Sequence, residues 1–335
     1  MNKDWQPSLT QNPPRILVVR LGAMGDIVHA LPAVATLKQG FPGSHLTWVI
    51  EPQWAPLLEA NSFVDRVMLL RRRSASGVLA SWQELRSAPF DFAVDFQGLL
   101  KSAVVAAAAR AEHIFGWERS QLREAAAGVF YTNRVSSRAV HVVDRNLDLA
   151  AAAGADRPVR AFPLPAGHAE GELPKGAFVL ASPLAGWRAK QWPLEHYQAL
   201  GGRLQRECNL PLVLNVSPNA QVERTEGVWA HACGLSGLID ATRRAAAVVG
   251  VDSGPMHLAA ALNKPGVALF GPTDPARNGP YGDSLRVLRW PGAVTTYKRL
   301  DAIDDSMQRI TPDEVFESLR AALGRARGSS GYLAG

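Results

Sequence analysis

Cysteine is scarce in this sequence: Cys208 and Cys233 are the two cysteines in 335 residues. They lie far apart and outside any metal-ligand spacing, which excludes a disulfide framework and a cysteine-rich zinc site. Two idle thiols in a reducing compartment are expected. Long apolar runs are missing as well. Nothing approaches the roughly 20 residues needed to cross a bilayer, and the alanine-rich stretch 103–109 is flanked by Lys101 and Arg110. The first 14 residues are polar and lack an apolar signal-peptide core, so a loose leader and a cytoplasmic location are expected. A dense basic stripe interleaved with aromatics is also absent. The net charge is +6, with 18 Lys and Arg against 14 Asp and Glu in residues 1–165. That mild excess argues against a nucleic-acid partner and suits an anionic ligand or membrane surface. What is present is globular: 47% hydrophobic and 20% charged residues exclude disorder, and the length suits two domains.

Hydrophobic patterning gives two series of strands and helices. Arg15-Ile-Leu-Val-Val-Arg20 is a buried-strand run, followed by a glycine-bearing turn and a helical pattern over 27–38. Residues 46–50, 64–70 and 90–96 read as further strands, the last running into a helix over 99–110. After a Pro/Gly-rich region at 162–176 the alternation restarts. Strands are expected at 177–181, 212–216, 246–251 and 266–270. Helices are expected at 195–207, 241–247, 256–262 and 311–324, the last with Thr311 as N-cap and Glu314 three residues on. Strands alternating with helices imply parallel sheets covered on both faces. The expected class is α/β, two doubly wound Rossmann-like domains facing across a cleft. Their spans are 15–165 and 166–325, with a flexible tail at 326–335. Ligands in such folds gather at the carboxyl ends of the strands.

Three strand-end loops carry the chemistry. In Leu21-Gly-Ala-Met-Gly25-Asp26 the spacing is G-x-x-G-D, not the G-x-G-x-x-G of dinucleotide binding, and an acid at a helix start repels a pyrophosphate. Asp26 therefore reads either as a helix cap or as a general base. His29, one turn on, reads as a supporting group. Val251-Asp252-Ser253-Gly254-Pro255-Met256-His257 ends a strand and opens a helix. Its free N–H groups, the Ser253 hydroxyl and the permissive Gly254 backbone suit an anion. Plain capping by Asp252 or Ser253 accounts for one residue of it, but not for His257 or the following Gly271-Pro-Thr-Asp-Pro275 loop. The third loop, 182–193, holds Arg188 and Lys190 between Trp187 and Trp192. Lys190 there is either solvated or set against a leaving diphosphate.

Taken together and in order, these segments resemble glycosyltransferase family 9, the heptosyltransferases, of the two-domain GT-B fold. The carriers are Arg20-Leu-Gly-Ala-Met-Gly-Asp-Ile-Val-His29, Ala189-Lys-Gln-Trp-Pro193, and Asp252-Ser-Gly-Pro-Met-His257 with Phe270-Gly-Pro-Thr-Asp-Pro275. Between them, Asp91-Phe-Ala-Val-Asp-Phe-Gln-Gly98 with Leu-Leu-Lys101-Ser102, and Gly116-Trp-Glu-Arg-Ser-Gln-Leu-Arg-Glu124, are similar to acceptor-domain segments of the heptosyltransferase I branch. The resemblance spans about residues 15–320. It implies transfer of heptose from ADP-heptose to a Kdo sugar of the lipopolysaccharide inner core. The implied reaction inverts the anomeric centre, with Asp26 as base and Lys190 stabilising the departing ADP. Implied donor contacts are Gly25, Lys190, Asp252, Ser253, Gly254, His257 and Glu223, with Gln221 as the alternative to Glu223. Implied acceptor contacts are Arg71, Arg73, Asp95, Gln97, Lys101 and Arg123. Arg72 completes the arginine triplet. No metal or cofactor beyond the ADP-sugar is implied. The expected protein is a monomer, peripheral at the inner membrane face, acting on Kdo-lipid A. Arg20, Gly22 and the loop after Val216 depart from the family's usual pattern.

Overall fold

The computed structural model describes residues 13–87, 89–216, 227–296 and 298–330, the last five as backbone only. Glu223, Gln221 and most of the expected leader fall outside these residues. The chain divides into two compact units, residues 1–165 and 166–335.

Unit 1 runs β1 (Arg15–Val19), α1 (Met24–Gly40), β2 (His45–Ile50), β3 (Arg66–Leu69), α2 (Ala75–Arg86), β4 (Phe92–Asp95), α3 (Leu100–Ala108), β5 (His113–Trp117), β6 (Asn133–Val135) and α4 (Val142–Ala152). Its six strands are parallel, in the order β3-β2-β1-β4-β5-β6. Ile16 of β1 sits between Leu46 of β2 and Phe92 of β4. Ile16 to Val19 have no exposed surface. Helices cover both faces of this strand, so its apolar run has no reason to alternate with polar residues.

Unit 2 repeats the plan: β7 (Val179–Ser182), α5 (Leu194–Cys208), β8 (Leu212–Val216), β9 (Val228–Ala232), α6 (Leu235–Arg244), β10 (Ala247–Val251), α7 (Gly254–Ala261), β11 (Gly266–Phe270), α8 (Pro275–Asn278), β12 (Leu285–Arg289), α9 (Asp305–Gln308) and α10 (Pro312–Ser330). Its strand order is β12-β11-β10-β7-β8-β9, the same topology with its own first strand, β7, beside its fourth, β10. In both units the chain winds away in opposite directions from one central pair, β1/β4 and β7/β10. The loops leaving the carboxyl ends of that pair open the crevice where such sheets bind ligands. All three chemistry-bearing loops leave these four strands.

Three expectations differ in detail. The alanine-rich stretch 241–247 was expected to be helical, but the helix there is α6, which ends at Arg244. Its signal is the apolar spacing Leu235, Leu238, Ile239, continued by the buried Thr242, whose hydroxyl donates to the Leu238 carbonyl at 2.6 Å. Ala247 already lies in β10, paired with Val179, because sheet pairing outweighs the few tenths of a kcal/mol that alanine gains in a helix. The closing helix, expected to end at Gly324, continues to Ser330. Its two glycines, Gly324 and Gly328, cost only about 1 kcal/mol each. Its start is a reciprocal cap: the Glu314 carboxylate accepts from the Thr311 N–H at 2.9 Å, and the Thr311 hydroxyl accepts from the Glu314 N–H at 3.3 Å. Helix α1 begins at Met24, so Asp26 stands in its first turn rather than ahead of it.

Candidate active site

In unit 1 the loop after β1 is held from beneath. Arg20 is buried. Its Nη1 donates to the Phe96 carbonyl at 2.6 Å, and its own carbonyl accepts from the Trp48 indole at 3.1 Å. Its Nη2 then reaches up to Asp26 Oδ1 at 2.7 Å, while Asp26 Oδ2 accepts the Ala23 N–H at 3.3 Å. Capping and orientation are thus done by the same carboxylate, whose side chain remains 47% exposed. Gly25, beside it in the first turn of α1, places no side chain over the carboxylate. Gly22 is a close-approach position: a Cβ there would lie 2.7 Å from the Trp54 indole nitrogen.

The loop after β4 is built around Asp95, which has no exposed surface. Its Oδ1 accepts the Gln97 and Gly98 N–H groups at 2.8 and 3.2 Å, and its Oδ2 accepts the Ser102 and Tyr131 hydroxyls at 2.8 and 2.7 Å. Gly98 closes this turn at φ +67°, a conformation that suits glycine. The Gln97 side-chain oxygen in turn accepts the Leu21 N–H at 2.8 Å, tying the two central loops together. This corrects the reading of Asp95 as an acceptor contact. Both oxygens are engaged inside the protein, and Asp95 positions Gln97 and the start of α3. Burial, the largest influence, pushes its carboxyl above the ordinary range, against the hydrogen bonds that pull it down. Asp95→Ala strands the Gln97 and Gly98 N–H groups and the Tyr131 hydroxyl at about 1–3 kcal/mol each, while Ser102 keeps the Leu99 carbonyl at 2.8 Å, and it is expected to cost at least about 3 kcal/mol in urea unfolding. Asp95→Asn keeps an oxygen for the two N–H groups and offers its amide to the two hydroxyls, so a loss of about 1 kcal/mol is expected.

Beyond β2 and β3 lies a cavity of about 950 Å³, lined by residues that include Glu51, Gln53, the triplet Arg71, Arg72 and Arg73, and Ser76 and Ala80 of α2. Glu51, which sequence reading missed, is nearly buried. Its Oε1 accepts from Arg72 at 2.8 Å and lies 3.6 Å from Lys101 Nζ. Arg71 and Arg73 are exposed at the cavity. Arg123 is also exposed but does not line it. The structure therefore gathers Arg71, Arg73 and, through Glu51, Lys101, and leaves Arg123 outside this group.

In unit 2 Asp252, at the carboxyl end of β10, is the hub. Its Oδ2 accepts from Lys190 Nζ and the Thr273 hydroxyl, both at 2.7 Å, and its Oδ1 lies 3.7 Å from His257 Nε2. Lys190 is further held by its contact to the Asp252 carbonyl at 3.3 Å and sits 4.6 Å over the Trp187 ring. Asp252 is thus also corrected: its carboxylate faces inward to Lys190, Thr273 and His257, and it organises these groups. Thr273 was missed, although its loop had been singled out. Ser253 is the N-cap of α7, yet its hydroxyl makes no capping bond; it is buried and unpartnered among the described residues. Gly254 and Pro255 open the helix; Pro255 has no N–H, the Met256 and His257 N–H groups donate to the Ser253 carbonyl at 3.1 and 3.4 Å, and the Gly254 N–H is left without an intrahelical acceptor. A buried hydroxyl, the Gly254 N–H and a positive helix end beside Lys190 form an arrangement that can hold a diphosphate.

Burial acts to raise the Asp252 carboxyl, but His257 and Lys190 outweigh it and hold it well below the ordinary carboxylate range. The unfolded chain then binds the extra proton first on acidification. This contribution to stability is full above about pH 4 and is lost as the pH falls below it. Asp95, with its raised carboxyl, acts in the opposite sense and favours the folded form as pH falls. Urea unfolding from pH 7 to pH 3 is expected to show an acid loss that Asp252→Asn flattens; an unchanged slope would remove this pair from the account.

The sequence profile of glycosyltransferase family 9 (heptosyltransferase) matches residues 78–302. The chain is 31% identical over 303 residues to lipopolysaccharide heptosyltransferase 1 of Escherichia coli, covering 83% of this chain and 92% of that protein. It is 30% identical over 301 residues to lipopolysaccharide heptosyltransferase 1 of Pseudomonas aeruginosa, covering 81% and 82%. Among solved structures it matches the E. coli heptosyltransferase WaaC with ADP at a TM-score of 0.74 and 26% identity, over 92% of this chain and 99% of that one.

Proposed function

The chain belongs to glycosyltransferase family 9, and from that membership we propose that it moves heptose from ADP-heptose to a Kdo sugar of the lipopolysaccharide inner core. The observation that carries the chemistry is the half-exposed Asp26 carboxylate, fixed at the carboxyl end of β1 by buried Arg20. In this reading Asp26 takes the proton of the acceptor hydroxyl as its oxygen attacks the anomeric carbon. The bond to ADP breaks on the opposite face, which inverts the centre. Negative charge grows on the departing diphosphate and is met by Lys190, the Ser253 hydroxyl and the Gly254 N–H at the start of α7. Asp252, whose carboxylate is itself met by Thr273 and His257, holds Lys190 in place. In this reading the departure of ADP is assisted by the protein's own cations. Arg71, Arg73 and Lys101 supply the charge for an acceptor that carries carboxylates and phosphates.

No helix among the described residues is long and apolar enough to cross a membrane. The acceptor is a lipid, so the enzyme works at the membrane surface as a peripheral protein. A panel of nucleotide sugars offered with Kdo-bearing lipid A, with products weighed by mass spectrometry, tests the reading. Heptose transfer from ADP-heptose with an inverted linkage is the expected product. Transfer from another donor, with none from ADP-heptose, would overturn it.

A further inference from the structure

We propose that one side of α2 is a docking surface for an anionic bilayer, seated next to the arginine-lined cavity; the inference rests on the lipid-borne acceptor proposed above. Helix α2 is capped by Ser74, whose hydroxyl accepts the Gly77 N–H at 3.1 Å, and anchored by buried Ser81 and Leu85. Helical spacing puts Val78, Leu79, Trp82 and Arg86 together along a different side. Val78 is 47% and Leu79 58% exposed. The half-buried Trp82 carries the Arg86 guanidinium 4.7 Å over its ring. A third side, through Ser76, Gly77 and Ala80, lines the cavity.

The charge around this stripe has one sign. Residues 66–86 hold five arginines and one acid, Glu84, which is tied to Arg66 at 2.7 Å. An exposed leucine or valine alone is ordinary surface. Here the apolar pair adjoins a tryptophan, with arginines at both ends of the helix and no free acid among them. That is the composition of a helix lying in the headgroup region of a bilayer: apolar groups at the acyl boundary, an indole at the interface and guanidiniums on anionic phosphates. Its position fits the substrate, because a glycolipid whose sugar enters the cavity holds the cavity mouth close to the membrane in which its acyl chains remain. The bilayer is thus a partner that explains the charge, the apolar pair and the neighbouring cavity together.

The test uses the full chain and sedimentation with vesicles of phosphatidylethanolamine and phosphatidylglycerol (3:1), and with neutral phosphatidylcholine vesicles. Binding to the anionic vesicles, weakened by salt and lost on neutral ones, is expected. Val78→Ser with Leu79→Asp is expected to reduce that binding about tenfold, with thermal unfolding unchanged because both side chains are exposed. The same variant is expected to keep full transfer to a water-soluble, deacylated acceptor while losing transfer to an acceptor embedded in the vesicles. Wild-type binding by the variant, or a wild-type chain that stays in the supernatant, would overturn the proposal. So would a dimer in sedimentation velocity that the variant dissolves, which would make the stripe a self-association face. Should wild type bind anionic vesicles yet transfer heptose to neither acceptor form, the docking surface stands and the acceptor reading fails.

Discussion

Asp26→Asn is expected to lower the rate of transfer at saturating substrates by about 10²–10⁴-fold, the range that a positioned general base supplies, and to leave ADP affinity nearly unchanged. The substitution is clean because asparagine keeps the shape of the carboxylate. One side-chain oxygen remains to accept from Arg20 Nη2 or from the Ala23 N–H, which in wild type lie 2.7 and 3.3 Å from the two carboxylate oxygens. What is lost is the site that accepts a proton. A second effect is smaller. Arg20 is buried, and in the variant it keeps the Phe96 carbonyl but loses the charge opposite it. Asp26 is about half exposed, so solvent screens the pair and the stability cost should stay near 1 kcal/mol. Measuring kcat by ADP release, ADP affinity by calorimetry and the melting temperature separates these terms. A variant that turns over like wild type would remove Asp26 from the chemistry, whatever its effect on stability.

The parts of this site differ in how far they can be read from sequence, and the differences have physical causes. Asp26, Lys190 and the segment Asp252 to His257 are legible because each lies next to a strand-end signal: a β-branched run, then small residues, then a helix start. Strands β8 and β11 are legible in full for the same reason, being five-residue runs that are apolar but for Asn215, with turn residues on both sides. Glu51 and Thr273 also follow strand ends, but nothing in their segments sets either residue apart from its neighbours. Each acts by pairing with a residue distant in the chain, Glu51 with Arg72 and Lys101, and Thr273 with Asp252. Those pairings exist only once β2 lies beside β3 and β10 beside β11. Asp95 was legible as a motif residue but not as a buried one. Its burial comes from Tyr131, 36 positions on, whose hydroxyl reaches it from beyond β5. Of the edge strands β3 was legible, but β6, β9 and β12 were not: β6 has three residues, one of them exposed, too short a run to show a period.

Lys190→Ala is the second substitution expected to have a large effect, and its interpretation turns on Asp252. Removing a group that meets developing charge on a leaving diphosphate is expected to cost about 10²–10³ in kcat. The same change strips Asp252 of its closest cation. Since Asp252 is buried and Lys190 nearly so, breaking one side of the pair costs about 3–5 kcal/mol of stability in comparable cases. It also leaves a carboxylate, now countered only by His257 and the Thr273 hydroxyl, beside the helix end that is to hold the diphosphate. ADP affinity should therefore fall together with kcat. Pairing Lys190→Ala with Asp252→Asn in a double-mutant cycle divides these contributions. If Lys190 serves only to neutralise Asp252, the double variant recovers turnover as well as stability, because the unpaired charge is gone. If Lys190 stabilises the departing ADP, the double variant recovers stability and part of the ADP affinity, yet turnover stays about 10²-fold down. The geometry favours the second outcome. Thr273 and His257 already contact the Asp252 carboxylate, so the lysine is not needed to satisfy its hydrogen bonds, and a primary ammonium carries three donors of which Asp252 engages no more than two.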